Sequence, residues 1–222
     1  MSARKKVVII GAGQNGVQAF HILKHQSGIE VVGFLDEDPA KQGRLHCGLP
    51  ILGGVDAARR PCAGGAAGAI VAVGGNAARK ELTARIAALG LELINAVHPA
   101  ALIDSPRSLG RGCVIEMGVA IHPEAVIGDG VFLGGGSVVA HHCAIGDFAL
   151  IAGGVTFGGE VTVGSLAVIG VGAALRPGVN VGASSVVGVG SVVVKDIPDG
   201  AVAFGNPAKV SRLLGAGETL VR

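Results

Sequence analysis

Ile127-Gly128-Asp129-Gly130-Val131-Phe132-Leu133-Gly134-Gly135-Gly136-Ser137-Val138-Val139-Ala140-His141-His142-Cys143-Ala144-Ile145 carries an aliphatic residue at every sixth position, at 127, 133, 139 and 145. The same phase runs back through Ile121, Ile115, Leu109 and Ile103 to Val97. It runs forward through Ile151, Phe157, Val163, Ile169, Leu175, Val181 and Val187 to Val193, with no insertion. Half of all residues are apolar, so a run of this length in one phase has odds of ~10⁻⁵ by chance, and a fixed period is the signature of a solenoid. Glycine often follows the periodic residue, as at Gly128, Gly146 and Gly170. Four places after it stands a mostly small or β-branched residue: Ala125, Ser137, Cys143, Ala149, Ala167, Ala173 and Ser185. Only small groups fit there.

The rest of the chain is organised differently, and the division falls near residue 96. Val7 to Ile10 reads as a strand, Asn15 to His25 as a helix and Glu30 to Leu35 as a second strand, which together make a βαβ unit. Ala69 to Val73 reads as a further strand, Ala77 to Leu89 as an amphipathic helix and Leu91 to Ala96 as another strand, which favours a small parallel sheet. The expected fold is an α/β Rossmann-like domain over residues 1–96 followed by an all-β solenoid over 97–222.

Composition narrows the function classes. The 222 residues are 50% hydrophobic and 15% charged, which excludes disorder as the general state; 39 Gly and 9 Pro without a Gly-X-Y period exclude collagen. A net charge of +2, with no Trp or Tyr, leaves neither a polyanion footprint nor stacking platforms for nucleic acid. The longest apolar stretches, such as Ala167 to Leu175, are about half the length of a membrane span, and Val7 to Ile10 after the basic start is too short for a signal peptide. Cys47, Cys62, Cys113 and Cys143 show no paired spacing, which fits buried thiols in a reducing compartment. A cytoplasmic protein with a small-molecule partner is expected, with no nucleic acid, no membrane span and no metal. His122, His141 and His142 lack the usual spacing of zinc ligands.

The periodic half resembles the hexapeptide repeat of left-handed parallel β-helix proteins, in which three repeats make one triangular coil of 18 residues. By that resemblance the seventeen repeats make about 5.7 coils and a prism roughly 27 Å long. His141, Gly159, Pro177 and Lys195 then share one column at a corner of the prism, and Gly153, Val171 and Val189 share another. Ser137 to Asp147 is similar to the catalytic coil of the nucleotide-amino-sugar N-acetyltransferases and the sialic-acid O-acetyltransferases. The resemblance implies a homotrimer that holds acetyl-coenzyme A in grooves between subunits. It implies His141 as general base and the Gly159 N–H as oxyanion donor, one strand spacing apart. It also implies coenzyme contacts at Gly159, Val171, Val189, Lys195 and Lys209. Relatives usually have Asp or Glu directly after the base, where this chain has His142, so an acid arrives from elsewhere, His142 substitutes by hydrogen bonding, or the enzyme is impaired. Some relatives have Asn at the position of Gly134 and a second His at the position of Leu150, so those contacts are not carried over to these two residues. Phe204-Gly205-Asn206-Pro207-Ala208-Lys209 resembles the closing motif of the same family, followed by a short helix to about Leu214.

Gly11-Ala12-Gly13-Gln14-Asn15-Gly16 follows a strand and opens a helix, and Asp36 comes twenty residues after Gly16, which completes a dinucleotide fingerprint. Read alone it points to an NAD-dependent enzyme, but fewer than 100 residues hold only about half of a doubly wound fold. The same half resembles the sugar-nucleotide domain fused to solenoids in these acetyltransferases, through the glycine turn, Phe34 to Asp38, Leu52-Gly53-Gly54, and Val73-Gly74-Gly75-Asn76 with Arg79. That likeness puts Gly13, Gln14 and Asn15 at the substrate phosphates or sugar, and Asp36 with Glu37 at the base or ribose. Gly74 and Asn76 join the same set of substrate contacts. The leading expectation is transfer of acetyl from acetyl-coenzyme A to the amino group of a nucleotide-linked deoxy sugar, as in polysaccharide (O-antigen) biosynthesis. Sugar O-acetylation, a nucleotide-binding scaffold without catalysis, and NAD chemistry are the alternatives.

Overall fold

The structure is a computed structural model that describes residues 4–59, 65–105, 107–215 and 218. Cys62 lies outside the described residues. The chain divides into two compact units, Met1–Pro99 with Gly112–Val114, and Ala100–Arg111 with Ile115–Arg222.

In the first unit β1 (Lys5–Ile10) leads through α1 (Gln14–Leu23) to β2 (Ile29–Leu35). β3 (Gly68–Val71), α2 (Asn76–Ala88) and β4 (Glu92–Leu93) follow. The sheet order is β2-β1-β3-β4 and every pairing is parallel. The central strands are apolar runs because a parallel sheet is covered on both faces. Val8, Ile10, Leu35, Ala69 and Val71 pack with Val55 and Ile86 into one core. Strand order reverses at β1, so the crevice at the carboxyl ends of β1, β2 and β3 is the place where α/β sheets bind ligands. The inward stripe of α2 is Asn76, Arg79, Thr83 and Ile86, three polar residues and one apolar.

The second unit is a parallel β-solenoid of about six turns. Each strand is two residues long and ends on the periodic aliphatic residue, and strands pair with those eighteen residues away: Ile121 with Val139, Ile127 with Ile145, Leu133 with Ile151. Three sheets result, one per face of the coil. Val138–Val139 lies in the first, Ala144–Ile145 in the second and Leu150–Ile151 in the third. From Ile115 to Val193 every periodic residue is buried, while Val97, Ile103 and Leu109 in the first lap are half-buried. Ala125, Ser137, Cys143, Ala149, Ala167, Ala173 and Ser185 are buried too, inside the winding, where a larger side chain would meet the aliphatic stack.

The expected closing helix is not there. Ala201–Gly205 (β5) stacks in parallel on Val186–Val187, and Ala208–Leu213 (β6) returns as its antiparallel neighbour. The residues read as helical instead complete the hydrogen bonding of β5, which would otherwise be an open sheet edge.

Leu133 is fully buried between Ile115 and Ile151 in the aliphatic stack. Leu133→Ala is expected to lower unfolding stability by about 2–5 kcal/mol. Denaturant titration checks this, and a loss under about 1 kcal/mol would mean that the stack does not carry the fold.

Candidate active site

Between strands each lap turns a corner, and the fourth residue of the repeat takes a left-handed conformation there. Glycine supplies it at Gly130, Gly136, Gly154, Gly172 and Gly178, but Glu124, His142 and Glu160 also adopt it, with φ of 62°, 58° and 62°. The third residue precedes it at the corner, and at several corners a carboxylate of an adjacent lap accepts its N–H. On one corner carboxylates accept these groups: Asp129 takes the Arg111 N–H and Asp147 takes the Asp129 N–H, each at 2.8 Å. On another, Glu116 accepts the Gly135 N–H at 2.7 Å.

At the corner carrying His141 the arrangement differs. The imidazole packs against Gly159: a Cβ on that glycine would stand 2.5 Å from His141 Cε1 and 2.7 Å from Nε2. Gly159 N–H has no acceptor among the described residues. The two laps are joined by the Glu160 N–H, which donates to the His141 carbonyl at 3.0 Å. His141 and His142 are both exposed, and their Nδ1 atoms meet at 3.1 Å. Cys143, next in the chain, faces inward, where its thiol donates to the Gly158 carbonyl at 3.2 Å. Burial raises the thiol above its ordinary value, against the backbone donors around it. A side chain so placed is no nucleophile for the corner.

In the first unit the three glycines of the turn after β1 have separate functions. Gly11 has φ +104°, and a Cβ there would meet the Ala72 carbonyl at 2.8 Å; a Cβ on Gly16 would collide with the Gly11 carbonyl. Gly13 has open space in front of it. It is the N-cap of α1, as Gly75 is of α2. Neither helix has a side-chain cap or an acidic residue in its first turn. Two helix N-termini therefore present backbone N–H groups and positive dipole ends, as anion sites do.

Comparisons with known proteins match both units. Residues 6–86 match the PglD N-terminal domain, and residues 108–141 and 124–159 match the bacterial transferase hexapeptide (six repeats). PerB from Caulobacter crescentus, solved in complex with CoA and GDP-perosamine, is 37% identical, with a TM-score of 0.87 over 93% of this chain and 97% of that one. The acetyltransferase domain of PglB from Neisseria gonorrhoeae, solved in complex with acetyl coenzyme A, is 31% identical, with a TM-score of 0.84 over 94% and 100%. WeeI from Acinetobacter baumannii, at 24% identity and a TM-score of 0.83 over 92% and 98%, shares the fold. No curated protein matches. The chain belongs to the acetyl-coenzyme A-dependent nucleotide-sugar N-acetyltransferases with hexapeptide repeats.

Family membership selects among the alternatives, setting aside the scaffold and NAD readings, and the structure distributes the expected residues. His141, His142 and Gly159 come together. Val171 and Val189 are exposed on a different corner of the same winding, and one chain does not bring them to His141. Lys195 is exposed two laps beyond Gly159, and Lys209 is exposed on β6. Gly13 and Gln14 are open to solvent and Asn15 is half-buried.

Asp36 is engaged by the protein itself. It accepts the Ala12 N–H at 2.8 Å, the Asp38 N–H at 3.0 Å and the Lys41 ammonium at 3.0 Å, which ties β2 to the glycine turn. Glu37 pairs with Arg85 at 2.7 Å. Asn76 is buried, and its side-chain oxygen accepts from Arg79 at 3.0 Å. Arg79 also donates to the Val73 and Gly74 carbonyls, so it holds the loop after β3 from below. Burial pushes its guanidinium down to about 10. Sequence reading left Arg79 as one motif letter and missed Lys41. A buried cation on a polar helix stripe, and a lysine five residues from Asp36, were the available signals. Among the described residues no group of three or more His, Cys, Asp or Glu could hold a metal ion, and no helix is long and apolar enough to cross a membrane.

Two predictions follow from these contacts. Gly159→Ala places a methyl group in the space of the His141 ring while leaving an ordinary backbone conformation. Acetyl transfer should fall by about 10²-fold with melting unchanged, and a fully active variant would contradict the packing. For Asp36, burial raises the carboxyl, but the Asp38 and Ala12 N–H groups and Lys41 outweigh it and hold the group below its ordinary 3.8. A lowered value contributes stability above the unfolded-state value, and that contribution is lost as pH falls through the folded one. Asp36→Asn should therefore melt below wild type at pH 7, with the gap closing below pH 3.8; a gap independent of pH would show that the charge is irrelevant.

Proposed function

We propose that this acetyltransferase moves the acetyl group of acetyl-coenzyme A directly onto the amino group of a nucleotide-linked deoxy sugar. The observation that carries the reading is the His141 ring packed on Gly159, a glycine whose N–H has no acceptor among the described residues. As the sugar amine attacks the thioester carbonyl, His141 Nε2 takes the amine proton, and the Gly159 N–H donates to the oxyanion that forms. Collapse of the tetrahedral species breaks the carbon–sulfur bond, and the imidazolium returns its proton to the departing thiolate. One amide and one thiol result, with no acyl-enzyme, which fits the inward, hydrogen-bonded Cys143.

The nucleotide is assigned to the first unit, with phosphates at the open Gly13 turn and the N-termini of α1 and α2, and with Gln14, Asn15 and Gly74 beside them. Asp36, Glu37 and Asn76 shape that turn through their internal partners rather than through free side chains. PerB, solved with CoA and GDP-perosamine, supports an amino-sugar nucleotide as acceptor. Because Val171 and Val189 stand on a different corner from His141, a coenzyme touching both sets would lie between two copies. A homotrimer with three such grooves is the assembly this reading requires. Lys195 and Lys209 are assigned to the coenzyme phosphates; both are exposed.

His141→Asn should lower kcat by about 10²- to 10⁴-fold while coenzyme A still raises the melting temperature. Full activity in that variant would refute the base assignment. An alkali-labile ester product in place of an amide would move the reading to sugar O-acetylation.

A further inference from the structure

His141 and His142 touch through like atoms. Their Nδ1 atoms are 3.1 Å apart, with the rings at 84° to each other. Such a contact is a hydrogen bond only when one proton lies between the two nitrogens; with none, two lone pairs face each other, and with two, the N–H groups collide. A neutral imidazole carries a single N–H, so the tautomers of the two rings are coupled: the ring that donates from Nδ1 has a bare Nε2, and its partner has the reverse. Cε1 and Nε2 are the atoms of the His141 ring nearest to where a Gly159 Cβ would stand, at 2.5 and 2.7 Å, and Nδ1, which meets His142, is further off at 3.2 Å.

We propose that His142 is a positioning residue whose bare Nδ1 accepts the Nδ1–H of His141, locking His141 in the tautomer that leaves Nε2 free beside Gly159. This deepens the reading of His141 as base and rests on it. Without an acceptor at Nδ1, a neutral histidine favours the Nε2–H form, in which the reacting nitrogen already carries a proton. When His141 accepts the amine proton, its Nδ1–H remains on His142, so the ring does not turn between taking the proton and returning it. His142 does this as an uncharged group. The carboxylates at the same corner position, Glu124 one lap before and Glu160 one lap after, are exposed. The left-handed backbone at 142, φ 58°, is one that histidine, asparagine and aspartate adopt more readily than other side chains, and the His142 N–H is fixed to the Pro123 carbonyl at 3.3 Å. The ring is thus held at the corner by the winding.

The test uses the full chain and two variants. His142→Gly removes the ring at a position where Gly178, two laps on, adopts the same backbone. His142→Asp restores an acceptor. In ¹⁵N-histidine NMR of the wild type, His141 Nδ1 should resonate as a protonated nitrogen and Nε2 as a bare one, and His142→Gly should exchange them. The same variant should lose about 10- to 100-fold in kcat with KM for both substrates unchanged, and His142→Asp should recover most of it. Nε2–H on His141 in the wild type, a fully active His142→Gly, or no recovery with His142→Asp would each overturn the proposal. The NMR assignment needs no turnover, so it stands apart from the base assignment, which fails only if His141→Asn is active.

Discussion

A strand of two residues cannot hold itself, so the second unit depends on what lies eighteen residues away. Each lap lends its carbonyls to the lap before it: Val126 N–H donates to Cys143, Gly128 to Ile145, Val138 to Val155, at 2.8 Å in each case. The periodic aliphatic residues stack in the same register, so hydrogen bonds and apolar burial reward one alignment and penalise every other. Inserting a residue between Ile115 and Val193 would put an aliphatic side chain outside and a corner residue inside. That constraint explains why the run is unbroken.

The same register makes the corners chemically useful. Residues that follow equivalent strands fall into columns, and a column one strand spacing in pitch brings a side chain on one lap against the backbone of the next. Most columns use this for structure, as when Asp147 accepts the Asp129 N–H and Asp129 that of Arg111. At His141 and Gly159 the pitch instead seats an imidazole on a glycine with no Cβ to displace it. The inward Cys143 and the Glu160 bond to the His141 carbonyl pin the corner from both sides. A side chain carried this way sits on ladder-bonded backbone, and the winding fixes its position.

The first unit is built differently, around a glycine turn and two helix N-termini. Gly13 and Gly75 begin their helices without capping side chains, and three cations of this unit have partners within it: Lys41 with Asp36, Arg85 with Glu37, Arg79 with the loop it supports. These internal pairs tie the segments around the turn together, and the helix N-termini carry the positive end of the helix dipole.

The sequence by itself determined the solenoid, its columns and the glycine turn, because each rests on a spacing that has one geometric solution. It also indicated the family, through motifs in both halves. It misread the end of the chain: Ala208 to Leu213 has helix-forming composition, and only the open edge of β5 decided that it would be a strand. It read Asp36, Glu37 and Asn76 as ligand contacts but did not show their internal partners Lys41, Arg85 and Arg79, which come into reach through folding. It placed His142 directly after His141 and left open whether it stands in for the usual acid by hydrogen bonding. Which atom of one ring faces which atom of the other is set by a left-handed corner, and that conformation is imposed by the laps above and below.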